Sequence, residues 1–304
     1  MKTTAILIIG ASGQLGRAFQ YLAKNSAFRQ MMKAEWPDSY QLTFTHRATL
    51  DLLDKSAVQN GLKGFTYCIN CAAYTDVDKA ETAFEKAFEI NAKAVRHLAK
   101  ACKEKNVKLI HFSTDYVYDS GQTKPYKEED PLNPRSIYAK SKLQGEQYAF
   151  EENPNTLIFR TSWLFSPFGK NFYNSMKKLG RERKELGVVY DQIGTPTSAL
   201  HLAKATLKAI QRIENGLKNW QGIYNFSQSG VASWYDFAYY IMQLEKLPCH
   251  IYPICTEAFP RPAPRPPFSV MDKSKFEKQF GWTPCHWMES LECVSELFCV
   301  EKKP

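Results

Sequence analysis

Tyr138-Ala-Lys-Ser-Lys142 places a phenol and an ammonium four residues apart, on one face of any helix they occupy. A free phenol, with a pKa of about 10, is a poor proton donor or acceptor near neutrality. A neighbouring ammonium favours the phenolate and would bring that value toward 7, where general acid catalysis is efficient. The pair alone is common by chance. Thr114, in Ser113-Thr-Asp-Tyr116, adds a hydroxyl that could meet a carbonyl oxygen together with Tyr138. An ordinary hydroxyl turn ending a strand would also account for it. Together the three residues point to proton transfer at a carbonyl.

A third group would supply the other half of that chemistry. Gly10-Ala-Ser-Gly13-Gln14-Leu15-Gly16 follows an apolar run and opens a helical pattern. Glycines there permit a tight turn and close approach of backbone to a pyrophosphate. The helix start adds free N–H donors and partial positive charge. A glycine-rich turn without ligand is the plainer alternative, but position and flanking pattern both favour a dinucleotide. After the second strand comes Thr45-His46-Arg47 with no acid for a ribose 2′-hydroxyl; Arg47 could fork onto a 2′-phosphate. NADPH is therefore expected over NADH, which stays an alternative.

These groups need elements to hold them. Ala5–Ile9, Gln41–Thr45, Cys68–Cys71, Lys108–Phe112 and Thr156–Arg160 read as strands. Between them Gln14–Lys24, Lys55–Leu62 and Tyr138–Phe150 read as helices. Ala83, Ala87, Ile90, Ala94, Leu98 and Ala101 mark one face of a long helix. Strands alternating with helices indicate an α/β, Rossmann-like doubly wound parallel sheet. Its strands' carboxyl ends face the ligand crevice, so Thr114 follows its strand at the right place. Beyond Trp163 helices are expected at Gly169–Leu179, His201–Ile213 and Trp234–Leu244. The proline-rich Phe259–Pro267 cannot be a central strand or helix interior. The expected division is a dinucleotide-binding domain over 1–165, with a return segment near 190–225, and a smaller α/β substrate region over 166–304.

Bulk properties narrow the partners little. Among the 304 residues, 44% are hydrophobic and 23% charged, which is ordinary for a globular enzyme. No apolar stretch nears the roughly 20 residues that span a bilayer, and the N-terminus lacks the basic and long apolar regions of a secretory signal. A cytoplasmic protein without membrane contact is expected. The net charge of +9 is spread along the chain with no block of five or six cations, so it does not by itself select nucleic acid. Cys68 and Cys71 form a C-x-x-C inside an apolar run with no second pair, which favours core packing over a metal or redox site.

With these motifs in order, the chain resembles the extended short-chain dehydrogenase/reductases, and within them the dTDP-4-dehydrorhamnose reductase family. The likeness runs nearly end to end. It rests on Asn70-Cys-Ala-Ala-Tyr-Thr-Asp-Val-Asp-Lys-Ala-Glu81, Ser113-Thr-Asp-Tyr-Val-Tyr118, Arg160-Thr-Ser-Trp163, Asn171-Phe172, Asp191-Gln-Ile-Gly-Thr-Pro-Thr197 and Arg265-Pro-Pro-Phe-Ser269. The resemblance implies NADPH-dependent reduction of the C4 ketone of a dTDP-linked 4-keto-6-deoxy sugar. It implies that Tyr138 protonates the C4 oxygen, Lys142 tunes Tyr138 and holds the nicotinamide ribose, and Thr114 polarises the ketone. Asp51 and Leu52 would lie by the adenine, and Ala73, Tyr74 and Thr75 along the cofactor ribose and phosphates. Trp163 would stack on the sugar. Val77 and Asp115 would touch the substrate, and Asn171 and Arg265 would reach its diphosphate.

The chain departs from the family in three places. Cys71 replaces the usual alanine, and Asn25–Tyr40 is longer than usual. Ala18 and Leu200 stand where some relatives carry glutamates that bridge magnesium. No magnesium-bridged dimer is therefore expected, but a monomer or weak homodimer binding a nucleotide sugar and no nucleic acid. A dehydratase would need an acid where Tyr116 stands, and the reductase-specific blocks argue against an epimerase. A UDP-linked substrate, or a non-catalytic regulatory subunit of the same fold, are the competing readings.

Overall fold

A computed structural model describes residues 3–32, 37, 39–119 and 121–301. Six strands form one all-parallel sheet: β1 (Thr4–Ile9), β2 (Tyr40–Thr45), β3 (Tyr67–Asn70), β4 (Lys108–Thr114), β5 (Thr156–Thr161) and β6 (Gly222–Asn225). Their spatial order is β2-β1-β3-β4-β5-β6. Such a sheet must be covered on both faces, and alternate residues of β1 do this. Ile6 and Ile8 enter one apolar core with Phe19 and Leu200, while Leu7 and Ile9 enter the other with Val58 and Leu98. Helices α1 (Gln14–Lys24) and α4 (Ala199–Glu214) pack together on the first face. Helices α2 (Ala94–Glu104) and α3 (Ile137–Glu152) do so on the second. The fold is doubly wound, as the alternation of strands and helices predicts.

Three boundaries differ from the sequence reading in ways that matter. The long helix is broken: Phe84–Phe88 runs into a π-helical turn, Glu89–Lys93, before α2 begins. The apolar period continues through the turn, so the extra residue leaves no mark on it. Strand β4 runs two residues past Phe112, so Ser113 and Thr114 lie on the strand rather than after it. Both pair in register with β5, opposite Arg160 and Thr161. Gly169–Leu179 is shifted to Phe172–Glu182 because Asn171 caps it, its Oδ1 accepting from Asn174 N at 2.9 Å. Part of the long Asn25–Tyr40 segment forms a short helix, Ser26–Met31; residues 33–36 and 38 lie outside the described residues.

Beyond β5 the chain builds smaller pieces. Glu185–Val189 pairs in parallel with His250–Ile254, and Ile193–Gly194 pairs antiparallel with Ala232–Ser233. The helix Trp234–Leu244 starts on a reciprocal cap between Ser233 and Asp236. Phe259–Pro267 is loop throughout. Among the described residues no helix is long and apolar enough to cross a membrane. Cys68 and Cys71 are free, the first fully buried in the core.

Candidate active site

A cleft of about 980 Å³ opens at the carboxyl ends of the strands, beside the point where chain order reverses between β1 and β3. The glycine turn forms one end. Gly10 has φ +79°, and a Cβ there would lie 2.6 Å from Ala72 N. A Cβ on Gly16 would lie 2.4 Å from Gly10 O. Strand β3, the turn and α1 are thus packed so closely that the backbone itself forms the wall. Gly13, Gln14 and Leu15 line the cleft. Gln14 Oε1 accepts from Ser166 Oγ at 3.0 Å and from Asn171 Nδ2 at 2.9 Å, tying the turn to the chain beyond β5.

Tyr138, Thr114 and Lys142 line the same cleft. Ser136 caps α3 by accepting from Ala139 N at 3.2 Å, and Glu81 Oε1 accepts from Ile137 N at 2.8 Å. Two side chains therefore satisfy the helix start that carries Tyr138. The Thr114 hydroxyl lies beside Tyr138 and acts to lower its pKa. Thr114 Oγ1 also donates to Asp115 Oδ1 at 3.2 Å. Lys142 lies one turn along α3, 2% exposed, its Nζ donating to the Phe112 carbonyl at 2.6 Å. Trio and glycine turn share one cavity wall.

One expectation is corrected here. The Tyr138 phenol is not brought toward neutrality; burial pushes it up to about 12, with the Thr114 hydroxyl opposing and the Asp115 charge adding. Lys142 is engaged with the backbone of β4, and burial lowers it to about 8, opposed by Glu146. In the cofactor-free protein the phenol is therefore protonated and uncharged, with a proton to donate. Asp115, 2% exposed, is pushed by burial to about 7, despite hydrogen bonds from Ser269 and Thr114.

The outer wall comes from the chain beyond β5. Trp163 adopts φ +43°, uncommon for a bulky residue, and its indole stacks on Trp234 at 3.5 Å and 6°. One face of the Trp163 indole is thus covered by a second indole, and Trp163 still lines the cleft. Gly194 makes the arrangement possible, since a Cβ there would come within 2.6 Å of the Trp163 ring. Trp234 Nε1 donates to Gln192 Oε1 at 3.2 Å. Arg265 donates to Asp78 and to Ala263 O, and Arg261 pairs with Asp78 at 2.8 Å. Those contacts hold Asp78 below the usual carboxylate range, the Arg265 hydrogen bond most of all.

Of the residues singled out from sequence, Ala73, Thr75, Val77, Thr114, Asp115, Tyr138, Lys142, Trp163, Asn171 and Arg265 line the cleft with the glycine turn. Asn171 spends its amide on Gln14, Ser166 O and Phe168 O, as a cap and tie. Tyr74 is held by its backbone, N donating to Asn91 Oδ1 at 2.8 Å and O accepting from Asn91 Nδ2 at 3.0 Å. Arg47, Asp51 and Leu52 are not part of the cavity wall. Arg47 and Asp51 pair with each other at 3.6 Å in solvent, and Leu52 is a core side chain. Sequence reasoning did not assign roles to Asp78, Glu81, Asn91, Arg261 or Trp234. Asp78 and Glu81 sit inside the Val77–Glu81 block, which was the available signal; Trp234 had none.

The wall's charge is lopsided. Lys142, Lys170, Arg183, Arg261 and Arg265 stand against a single carboxylate, Asp115. Such a cleft suits a ligand rich in phosphate. It also holds orphaned polar atoms: Ser113 Oγ and Thr161 Oγ1 are buried without a partner and belong to lining residues.

Comparison with known proteins agrees with this geometry. Residues 4–298 match the family described as RmlD substrate binding domain. The chain is 35% identical over 298 residues to a dTDP-4-dehydrorhamnose reductase of Aggregatibacter actinomycetemcomitans, covering 95% of this chain and 97% of the relative. A crystal structure of a dTDP-4-dehydrorhamnose reductase from Clostridium acetobutylicum superposes with a TM-score of 0.88 at 37% identity, over 97% of this chain and 100% of the other. One from Bacillus anthracis, in complex with NADP, gives 0.86 at 33%, over 99% and 100%.

Proposed function

The chain belongs to the dTDP-4-dehydrorhamnose reductase family, and from that premise we infer how its own residues divide the reaction. It is an oxidoreductase that reduces the C4 ketone of dTDP-4-dehydrorhamnose to give dTDP-L-rhamnose. NADP(H) is its cofactor type, and NADPH supplies the hydride when bound. The glycine turn fits such a ligand because its backbone approaches where side chains cannot, and no side chain caps the start of α1.

We assign the pyrophosphate to Gly10, Gly13 and Gly16 with Gln14 and Leu15 beside it, and the ribose end to Arg47, Asp51 and Leu52. Ala73, Tyr74 and Thr75 run along the cofactor's phosphates. Tyr138 is the proton donor: its raised pKa keeps it protonated, and loss of the proton to the C4 oxygen is favourable only as that oxygen gains charge. Thr114 hydrogen-bonds the same oxygen, and Lys142 stabilises the phenolate left behind. Asp115, Val77 and Trp163 bound the sugar. Arg265, with Arg261, faces the diphosphate from the proline-rich loop. Residues 1–165 with β6 thus handle the cofactor and 166–304 mainly the substrate. Ala18 and Leu200 carry no carboxylate, and the reading for the assembly is a cytoplasmic monomer or weak dimer without bridging magnesium.

The observation that carries this reading is that Tyr138, Thr114 and Lys142 line the same cleft as the glycine turn. NADPH oxidation should be followed with dTDP- and UDP-linked 4-keto-6-deoxy sugars in parallel. Tyr138→Phe should lower kcat by roughly 10²–10⁴ with the dTDP substrate. Near-normal turnover in that variant would remove the phenol from the mechanism.

A further inference from the structure

Beneath Lys142 lies a chain of polar groups whose hydrogens can be placed by counting donors and acceptors. Lys142 Nζ is 3.4 Å from His111 Nε2. His111 Nδ1 is 3.2 Å from Asn70 Nδ2, and the two residues are register partners on β4 and β3. Both are at most 1% exposed. The Ala72 backbone N–H points at Asn70 Oδ1, 3.1 Å away. A backbone amide can only donate, so the oxygen end of Asn70 is fixed there and its NH₂ end faces His111. An NH₂ group can only donate, so Nδ1 must accept. His111 is neutral, since its Nδ1 accepts and burial holds it well below its ordinary pKa. A neutral imidazole has one acceptor and one N–H, which therefore sits on Nε2 and points at Lys142.

We propose that His111, fixed as its Nε2–H tautomer by Asn70 and the Ala72 amide, is a positioning residue that disfavours the ammonium form of Lys142 in the cofactor-free protein. An ammonium has no acceptor, so its N–H would face the His111 N–H across 3.4 Å. The neutral amine instead donates to the Phe112 carbonyl and accepts from His111, so that no two donors face each other across that contact. The proposal rests on the reading of Lys142 as partner of Tyr138.

The charged and titratable groups around Lys142 leave His111 as the discriminating one. On α3, Tyr138 lies one turn before and Glu146 one turn after. The Glu146 carboxylate, which favours the ammonium, is taken up by two bonds from Arg160 of β5, at 3.0 and 2.7 Å. From the turn after β4, Asp115 and Tyr116 act on Tyr138. From the π-helical turn, Asn91 reaches Ser141 of α3 and carries no charge. Burial and this chain act in the same direction on Lys142.

Cofactor-free protein labelled with ¹⁵N-histidine should give the Nε2–H pattern for His111 in two-bond ¹H–¹⁵N spectra, assigned by its loss in His111→Gln. In His111→Gln a side-chain oxygen can accept from Nζ. Its Lys142 titration, followed through ¹⁵Nζ, should move at least tenfold in equilibrium constant toward the ammonium. An Nδ1–H tautomer in the unmutated protein overturns the proposal, as does an unmoved Lys142 titration in a folded His111→Gln. Should that variant fail to fold, the tautomer decides alone. Neither measurement involves turnover, so failure here and failure of the Tyr138 assignment are separable.

Discussion

Two arginine–carboxylate pairs, neither of them lining the cleft, are opposites. The inner pair, Arg160 and Glu146, meets at 2.7 Å with side chains 2% exposed, and Tyr118 Oη and the Glu128 carbonyl accept the remaining Nη1 hydrogens. The outer pair, Arg47 and Asp51, meets at 3.6 Å with 69% and 41% exposure. Removing one partner inside strands a desolvated charge, whereas removing one outside leaves its partner in water. The inner pair is thus fixed by the fold, whereas the outer pair can exchange partners with water.

That contrast can be broken at three depths. Arg160→Met should cost about 3–5 kcal/mol in urea unfolding, because Glu146 is left buried and unpaired. A loss below about 1 kcal/mol would mean that the pair is not the support it looks. Gly16→Ala should cost about 1–3 kcal/mol, since its methyl meets backbone at 2.4 and 2.5 Å. In the same variant NADPH and NADH affinity should fall together, read by fluorescence titration. Selective loss of one cofactor would place the turn in the wrong role. Arg47→Ala should change stability by less than about 1 kcal/mol. It should nevertheless raise KM for NADPH severalfold and leave NADH alone; equal effects on both would make Arg47 an ordinary surface residue.

How far such features could be read in advance follows the same division. The sheet was legible because each central strand is a short apolar run closed by a polar residue, and the glycine triplet sits between one such run and a helical period. Trp234–Leu244 was legible at both ends, since Ser233 and Asp236 announce its start. The π-helical turn was not, because Ala87, Asn91 and Ala94 keep an unbroken small-residue face while the backbone slips by one. The last two residues of β4 were hidden because Ser113 and Thr114 suit a turn as well as a strand. The Arg265–Asp78 contact spans 187 residues, and no local pattern encodes it. The phenol's pKa went the other way because spacing reports that Lys142 is near, but not that Tyr138 is buried.

The sixth strand has a consequence in time. β6 is made of Gly222–Asn225 and pairs with β5, which ends at Thr161. At roughly 5–20 residues per second, the 64 residues from 161 to 225 take about 3–13 s to synthesise. Throughout that interval Leu157, Ile158 and Phe159, all wholly buried in the finished protein, stand on an unpaired edge. A chain stopped after residue 220 should therefore partition into the insoluble fraction; a soluble, monomeric product would refute this. For a nascent copy of this protein, the hazardous moment falls late, when most of the sheet exists and its last neighbour is still being made.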